Sequence, residues 1–334
     1  MFKKRKPYLI AEVGSNHLGR EKLSKQSIIL AKKAGADCIK FQLFNENNLV
    51  NSKLKVYKHV ADKKLKYQYQ RFKKVKISID QVKIFSKLAK KYKIDFCVTP
   101  FDHSYVKKIK NYVSFFKVAS GDINNIDLLK EISKKKKKVV ISTGMSNLKE
   151  IKKALNFFPR NKVVLLHCIS NYPTAKKDAN LINIKFLRKK FGVSTGYSDH
   201  VPGIETAAKS VFFGAKVIEK HFMPIKSKLA GDYKLSVDHR ELKRLVNLIK
   251  ENINLIGCPR KKEFACEKYG KKTLRRSIYF SNNFKIGHYL KKEDFVFLRP
   301  FEKKGVKIED LKKIIGKKLK SNIKKHQLVK IKNF

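Results

Sequence analysis

The 334-residue chain has no tryptophan, only 27 acidic side chains and no long apolar run. Without a stretch approaching about 20 uncharged apolar residues, a membrane-spanning helix is excluded. Five cysteines are too few, and odd in number, for a disulfide scaffold in a chain of this length. Cys38, Cys97 and Cys168 lie inside the apolar runs ADCIKFQL, IDFCVTPF and VVLLHCIS, where small buried thiols of a reducing compartment are expected. Cys258 and Cys266 sit in a charged stretch, with no second pair or histidine spacing to make a zinc site. The N-terminus is basic but reaches Glu12 too soon to contain the apolar region of a signal peptide. A cytoplasmic protein is expected.

The shortage of acid leaves a formal net charge of +53. Of the 80 basic residues 69 are lysine and 11 arginine. Arginine is the residue that reads bases and phosphates in bidentate fashion, so a lysine surplus spread along the whole chain fits a solvated surface better than a nucleic-acid reader. No zinc-finger, RRM or helix-turn-helix signature accompanies the charge. A non-specific polyanion-binding protein stays open as the reading from a different functional class.

With 42% hydrophobic residues the chain has ample material for a core. Short β-branched or aromatic runs alternate with longer amphipathic lysine-rich segments. Strands are predicted near 8–14, 37–43, 94–99, 115–119, 138–143, 162–168, 193–197 and 216–221. Helices follow, as at 21–34, 80–92, 147–157 and 238–256, several of them behind Asp, Ser or Asn caps. Eight strand–helix alternations within residues 1–256 predict a (β/α)8 TIM barrel, with a doubly wound open sheet as the alternative. Residues 45–79 are too long for a βα loop and are expected to cover one end of the barrel. Residues 257–273 read as a charged linker, and 274–334 as a small β-rich module that must dock on something to bury enough surface.

In such a barrel the chemistry lies at the C-terminal strand ends. These carry Glu12; Lys40 and Gln42; Thr99; Lys117 and Ser120-Gly121-Asp122; Ser142; His167 to Tyr172; Ser198-Asp199-His200; and Glu219-Lys220-His221. Two inward lysines, Lys40 and Lys117, are costly unless an anion meets them. Hydroxyls of Thr99, Ser120, Ser142 and Ser198 around them describe a phosphate or carboxylate site. The alternative is pairing of the lysines with barrel carboxylates such as Glu12 or Asp122. His200 and His221, from neighbouring strands, are two imidazoles that suit a divalent metal with open positions, or are ordinary polar histidines; spacing alone leaves both open.

The ordered motifs IAEVGSNHLG, KFQ, TPFD, KVASGDINN, VVISTGM, HCISNYP, GYSDHVPG and IEKHF resemble those of the sialic acid synthase (N-acetylneuraminate synthase) family, and LRRSIYF…LRP…IIGKKL resembles its C-terminal antifreeze-like SAF domain. The resemblance spans nearly the whole chain. It implies a transferase that condenses phosphoenolpyruvate with the aldehyde of an N-acetylated hexosamine, N-acetylmannosamine or a 2,4-diacetamido-trideoxyhexose, to a nine-carbon 2-keto acid sugar with release of phosphate. It implies a divalent metal, Mn or Mg, on His200 and His221. Lys40, Thr99, Lys117, Ser120, Ser142 and Ser198 then match the phosphoenolpyruvate set, and Glu12 and Gln42 groups beside the metal and aldehyde. Asp122 stands where relatives carry a Glu that handles the proton of the attacking water. Ser170, Tyr172 and Asp232 match sugar contacts; Arg299 matches a SAF-domain Arg that reaches the N-acyl group in a partner subunit. A domain-swapped homodimer is therefore expected, with no specific nucleic acid and no membrane. Another phosphoenolpyruvate–aldose condensing enzyme, or a metal-dependent aldolase, is the alternative within enzymes.

Overall fold

The computed structural model describes residues 6–56, 65–257, 259 and 261–334. Two compact units divide the chain, Met1–Gly257 and Cys258–Phe334. In the first, eight parallel strands close into a barrel: β1 (Tyr8–Glu12), β2 (Cys38–Leu43), β3 (Asp95–Pro100), β4 (Phe116–Val118), β5 (Val139–Ser142), β6 (Val163–His167), β7 (Ser194–Asp199) and β8 (Val217–His221). Closure by β1 against β8 excludes the open doubly wound sheet. Each strand lies within two residues of its sequence-predicted place at either end.

The helices form where caps and periodicity place them. Ile79–Lys91 starts behind Ser78, whose hydroxyl accepts from the Gln81 amide at 3.1 Å. Leu148–Leu155 is capped by Asn147 and His239–Ile256 by Asp238, each with a Glu three residues on closing a capping box. These helices lay their apolar stripes on the outside of the barrel, against outward residues such as Leu9, Ile39, Phe41, Val98 and Ile141.

Alternation along the strands fills the inside. Ile10, Cys38, Cys97, Phe115, Val140, Val164, Leu166 and Val217 make a separate apolar core within the barrel. Side chains of a strand repeat on one face every second residue. The next inward positions above this layer are therefore Glu12, Lys40, Thr99, Lys117, Ser142 and Glu219, and above those Gln42 and His221. The interior changes from apolar to charged in one step towards the C-terminal strand ends, and this step creates the site.

The long connection after β2 holds a short helix Glu46–Leu49, a bridge between Lys55 and Tyr67, and a helix Gln68–Val75. Its residues 57–64 lie outside the described residues, as do Cys258 of the cysteine pair and the basic residues 1–5. Cys38, Cys97 and Cys168 are buried free thiols and Cys266 is exposed.

In the second unit, β9 (Ser277–Phe280) pairs antiparallel with β10 (Phe295–Leu298). Short bridges, 3-10 turns and a small core of Ile278, Phe280, Leu290, Phe295, Val306, Ile314, Leu319, Ile323, Val329 and Phe334 complete it. Within the segment read as linker, Glu267–Leu274 is helical; an eight-residue helix with no buried side chain is too short for a periodic signal. Among the described residues no helix is long and apolar enough to cross a membrane.

Candidate active site

Four charges meet at the barrel mouth. Lys40 Nζ lies 2.8 Å from Glu12 Oε2 and 3.6 Å from Glu219 Oε2, and donates to Thr99 Oγ1 at 3.2 Å. Lys117 Nζ lies 3.9 Å from Glu219 Oε1 and donates to Ser142 Oγ at 2.7 Å and to the Val118 carbonyl at 3.1 Å. Ser198 Oγ donates to Glu219 Oε1 at 2.9 Å, and Gln42 Nε2 to Glu12 Oε1 at 2.7 Å. Strand register makes these contacts: Glu12 stands beside Lys40 and Ser198 beside Glu219, while Thr99, level with Gln42, lies diagonally across from Lys40.

All four charged groups are buried. Two lysines against two carboxylates balance, which keeps the cost of burial bearable. The environments nevertheless differ. Burial pushes the Glu12 carboxyl up, and the Glu219 charge adds to the push beyond what Lys40 takes back. Burial also pushes Glu219 up, but Lys117 and Lys40 together with the Ser198 hydroxyl outweigh it, so Glu219 is held below the usual carboxylate range. Burial pulls the Lys117 ammonium down. Lys40, against the same burial, is held up by Glu12 and Glu219. The lysines thus pair with Glu12 and Glu219 rather than with Asp122.

Above this quartet sit three rings. Tyr172 and His200 are 4.2 Å apart between ring centres, and His200 and His221 5.4 Å. Burial pulls both histidines down to about 4, so both rings are neutral at physiological pH. His200 Nδ1 lies 2.7 Å from the Ile169 carbonyl. A neutral ring must donate there, which fixes the tautomer and leaves Nε2 with a free lone pair. His221 Nδ1 is buried with no hydrogen-bond partner among the described residues and stands 3.7 Å from Asp232 Oδ2. Two neutral imidazoles with an unused nitrogen, beside a carboxylate, fit a divalent cation. Among the described residues no three His, Cys, Asp or Glu side chains form a ready-made cage.

Asp232 is fixed from three sides. Ser15 Oγ donates to its Oδ2 at 3.0 Å, Arg71 Nη2 lies 3.6 Å from Oδ1, and His221 is the third neighbour. Burial pushes its carboxyl up, but His221, Arg71 and Ser15 outweigh that and hold it below the usual range. Gly14 makes room: its φ is +52°, and a Cβ there would lie 2.9 Å from Asp232 Oδ2. Ser120 and Ser170 share a hydrogen bond of 2.9 Å on the far side of the mouth. Asp122 closes the 3-10 turn after Ser120; burial pushes its carboxyl up to about 6, against the Asn125 side chain and the Lys117 charge.

The barrel residues to which the sequence assigned catalytic, substrate or metal roles lie in or beside this mouth. Arg299 belongs to the second unit, directly after β10, where its Nε donates to the Leu274 carbonyl at 2.9 Å. Not every polar strand end faces inwards. Lys220 and Asp199 form a fully buried pair at 2.9 Å on the helix side of the barrel, and His167 turns its Nε2 to the Ala179 carbonyl at 2.9 Å. Sequence reasoning placed Glu219 at a strand end but gave it no role, and gave none to Ser15 or Arg71. Glu219 was recognisable, since it alternates with inward His221 on one strand. Arg71 carried no signal.

The NeuB family profile matches residues 27–261, and the SAF domain profile residues 275–334. The N,N'-diacetyllegionaminic acid synthase of Legionella pneumophila is 35% identical, over 95% of this chain and 91% of its own. That of Campylobacter jejuni is 34% identical, over 98% of this chain and 99% of its own. Among solved structures, the N-acetylneuraminic acid (sialic acid) synthetase of Leptospira borgpetersenii superposes with a TM-score of 0.72 at 31% identity, covering 80% of this chain and 90% of that one.

Proposed function

The chain belongs to the NeuB family, and from that premise we propose that it condenses phosphoenolpyruvate with an N-acetylated hexosamine aldehyde to a nine-carbon 2-keto acid sugar, releasing phosphate. The relatives named for a diacetylated legionaminic acid and the neighbour named for sialic acid support an acceptor carrying one or two acetamido groups. The observation that carries the reading is the pairing of two buried lysines with a neutral imidazole pair across one mouth. One half suits a small polyanion and the other an electrophile.

In this reading the lysines exchange partners. Lys40 and Lys117, with Thr99, Ser120, Ser142 and Ser198, take the carboxylate and phosphate of phosphoenolpyruvate and hold its enol in register. His200 and His221 would hold a divalent metal, Mn or Mg, which when bound polarises the aldehyde carbonyl. The enol carbon attacks the aldehyde carbon, and the aldehyde oxygen becomes a hydroxyl. Glu12, pushed up by burial once Lys40 turns from it to phosphoenolpyruvate, then takes up the proton that it is placed with Gln42 to deliver. Glu219 remains charged and faces the positive carbon that develops at C2. Water adds there, and Asp122, poised near 6, accepts its proton. The C2–O bond to phosphate then breaks as the new C2 hydroxyl gives its proton to the departing phosphate, and the ketone remains. Tyr172, Ser170 and Asp232 hold the sugar, and Arg299 of a swapped partner completes its site in a homodimer.

The test is phosphate release from phosphoenolpyruvate with a panel of amino sugars and Mn. Release that needs both an N-acetylated hexosamine and the metal is expected. Equal release with aldoses that lack an acetamido group would favour the wider class of condensing enzymes instead.

A further inference from the structure

Two neighbouring strands bring the imidazoles of the mouth together, yet they fix them unequally. His221 lies within β8 and is level with Glu12 of β1. His200 lies directly past the end of β7, where the ladder with β8 stops at Asp199 and Lys220. The bonds of His200 run to the other side. Its Nδ1 meets the Ile169 carbonyl at 2.7 Å, and its own carbonyl accepts from the Thr174 amide at 3.0 Å. One imidazole is thus set from β1 and the other from the connection after β6.

Lys220 joins the two sides. It is the chain neighbour of His221, and alternation along β8 points it away from the mouth. Its Nζ donates to Asp199 Oδ2 at 2.9 Å and to the Val201 carbonyl. Asp199 and Val201 are the residues on either side of His200. Asp199 Oδ1 also accepts from the Val201 amide at 2.9 Å. The turn that carries His200 is therefore closed by one carboxylate and gripped by one ammonium from the strand that carries His221. Both side chains of the pair are shut off from solvent. A buried ion pair is a poor source of stability, since an apolar pair of similar volume packs as well or better. What an apolar pair cannot do is fix the spacing of two backbones through directed, charged hydrogen bonds.

We propose that Lys220, with Asp199, is a positioning residue that sets the spacing of His200 and His221 and through it the affinity of the mouth for a divalent cation. The inference rests on the metal reading of the two imidazoles. Lys220→Met alone would strand the Asp199 charge, so the test replaces both groups, Asp199→Leu together with Lys220→Met. Mn affinity is read from the loss of the free-ion paramagnetic resonance signal on titration, and Tm from circular dichroism. The double variant should keep a Tm at or above that of wild type, because no charge is left uncompensated. It should nevertheless bind Mn about 10-fold more weakly or worse, as loss of the groups that orient a metal ligand does. Tyr8→Phe is the control. It removes the bond of the Tyr8 hydroxyl to Asp95 Oδ2, 2.6 Å long, at the opposite end of the barrel, and should leave Mn affinity unchanged whatever it does to Tm. A double variant that does not fold would show that the pair serves stability, and one that folds and binds Mn as tightly as wild type would show that it sets nothing at the mouth. Equal weakening by Tyr8→Phe would assign the effect to general loosening of the barrel. Each of these results overturns the proposal and, so long as wild type binds Mn, leaves the metal reading standing. Wild type that binds no Mn overturns both.

Discussion

Glu219 holds the charge balance of the mouth, and removing its charge should be felt in stability before it is felt in chemistry. Its carboxylate is the only one of the pair within 4 Å of Lys117 and is shared with Lys40. At these separations a unit charge pair is worth about 4 kcal/mol for an effective dielectric near 20. Glu219→Gln loses two such attractions, but it also loses the repulsion with Glu12 and the cost of burying its own charge. Stripping one partner from a buried ion pair costs about 3–5 kcal/mol in practice, which for a unit of this size is a fall of roughly 10 °C in Tm. The glutamine keeps the bond to Ser198, so the loss is electrostatic rather than one of packing. The mouth of the variant then carries one uncompensated positive charge, so inorganic phosphate should raise its Tm more than it raises that of wild type. Thermal unfolding followed by circular dichroism, with and without phosphate, reads both effects. A variant whose Tm falls by less than 2 °C, or that gains no more from phosphate than wild type, would show that the four groups are not a balanced set.

Three further outcomes are expected. Burial puts the Asp122 carboxyl at about 6 when folded, against about 3.9 unfolded. The folded state binds the extra proton, so this group's contribution to stability is present in acid and fades as pH rises from about 4 through 6. Asp122→Asn should flatten Tm against pH in that window, and should remove an acid limb near pH 6 from kcat; an unchanged limb would take the base role from Asp122. His200→Ala and His221→Ala should each weaken Mn binding at least 10-fold, read by the loss of the free-ion paramagnetic resonance signal on titration, while wild type stripped by a chelator regains phosphate release when Mn is returned. Wild type that releases phosphate undiminished after chelation would refute the metal assignment. Sedimentation should find a dimer, and Arg299→Ala should raise the KM of the sugar while leaving that of phosphoenolpyruvate alone.

The barrel was legible because eight apolar runs and capped amphipathic segments alternate at a spacing few other folds share, and because strands buried on both faces tolerate few polar residues below their ends. The mouth was legible for a related reason. A charge such as Lys40 or Lys117 on a fully buried strand needs a partner, and that need is visible in one dimension. Which partner it finds is not. The balance against Glu219 depends on barrel closure, which brings β8 beside β1 and across from β2 and β4. Facing is equally invisible without a fixed register: Lys220 and Lys40 are both buried lysines on strands, yet one look along β8 shows that Lys220 points outwards to Asp199 while its neighbours Glu219 and His221 point in. The Arg71–Asp232 contact beside the mouth was the least legible. Arg71 stands on the short helix Gln68–Val75 in the long connection after β2, and its contact with Asp232 joins two connections that share no strand. A polar residue in such a connection has solvent as its default surroundings, so only the fold reveals that this one has a carboxylate instead. Family motifs concentrate on the strand ends, where the shared chemistry lies. The residues that distinguish one acceptor from another are best sought in the connections, where the chain is free to vary without disturbing the barrel.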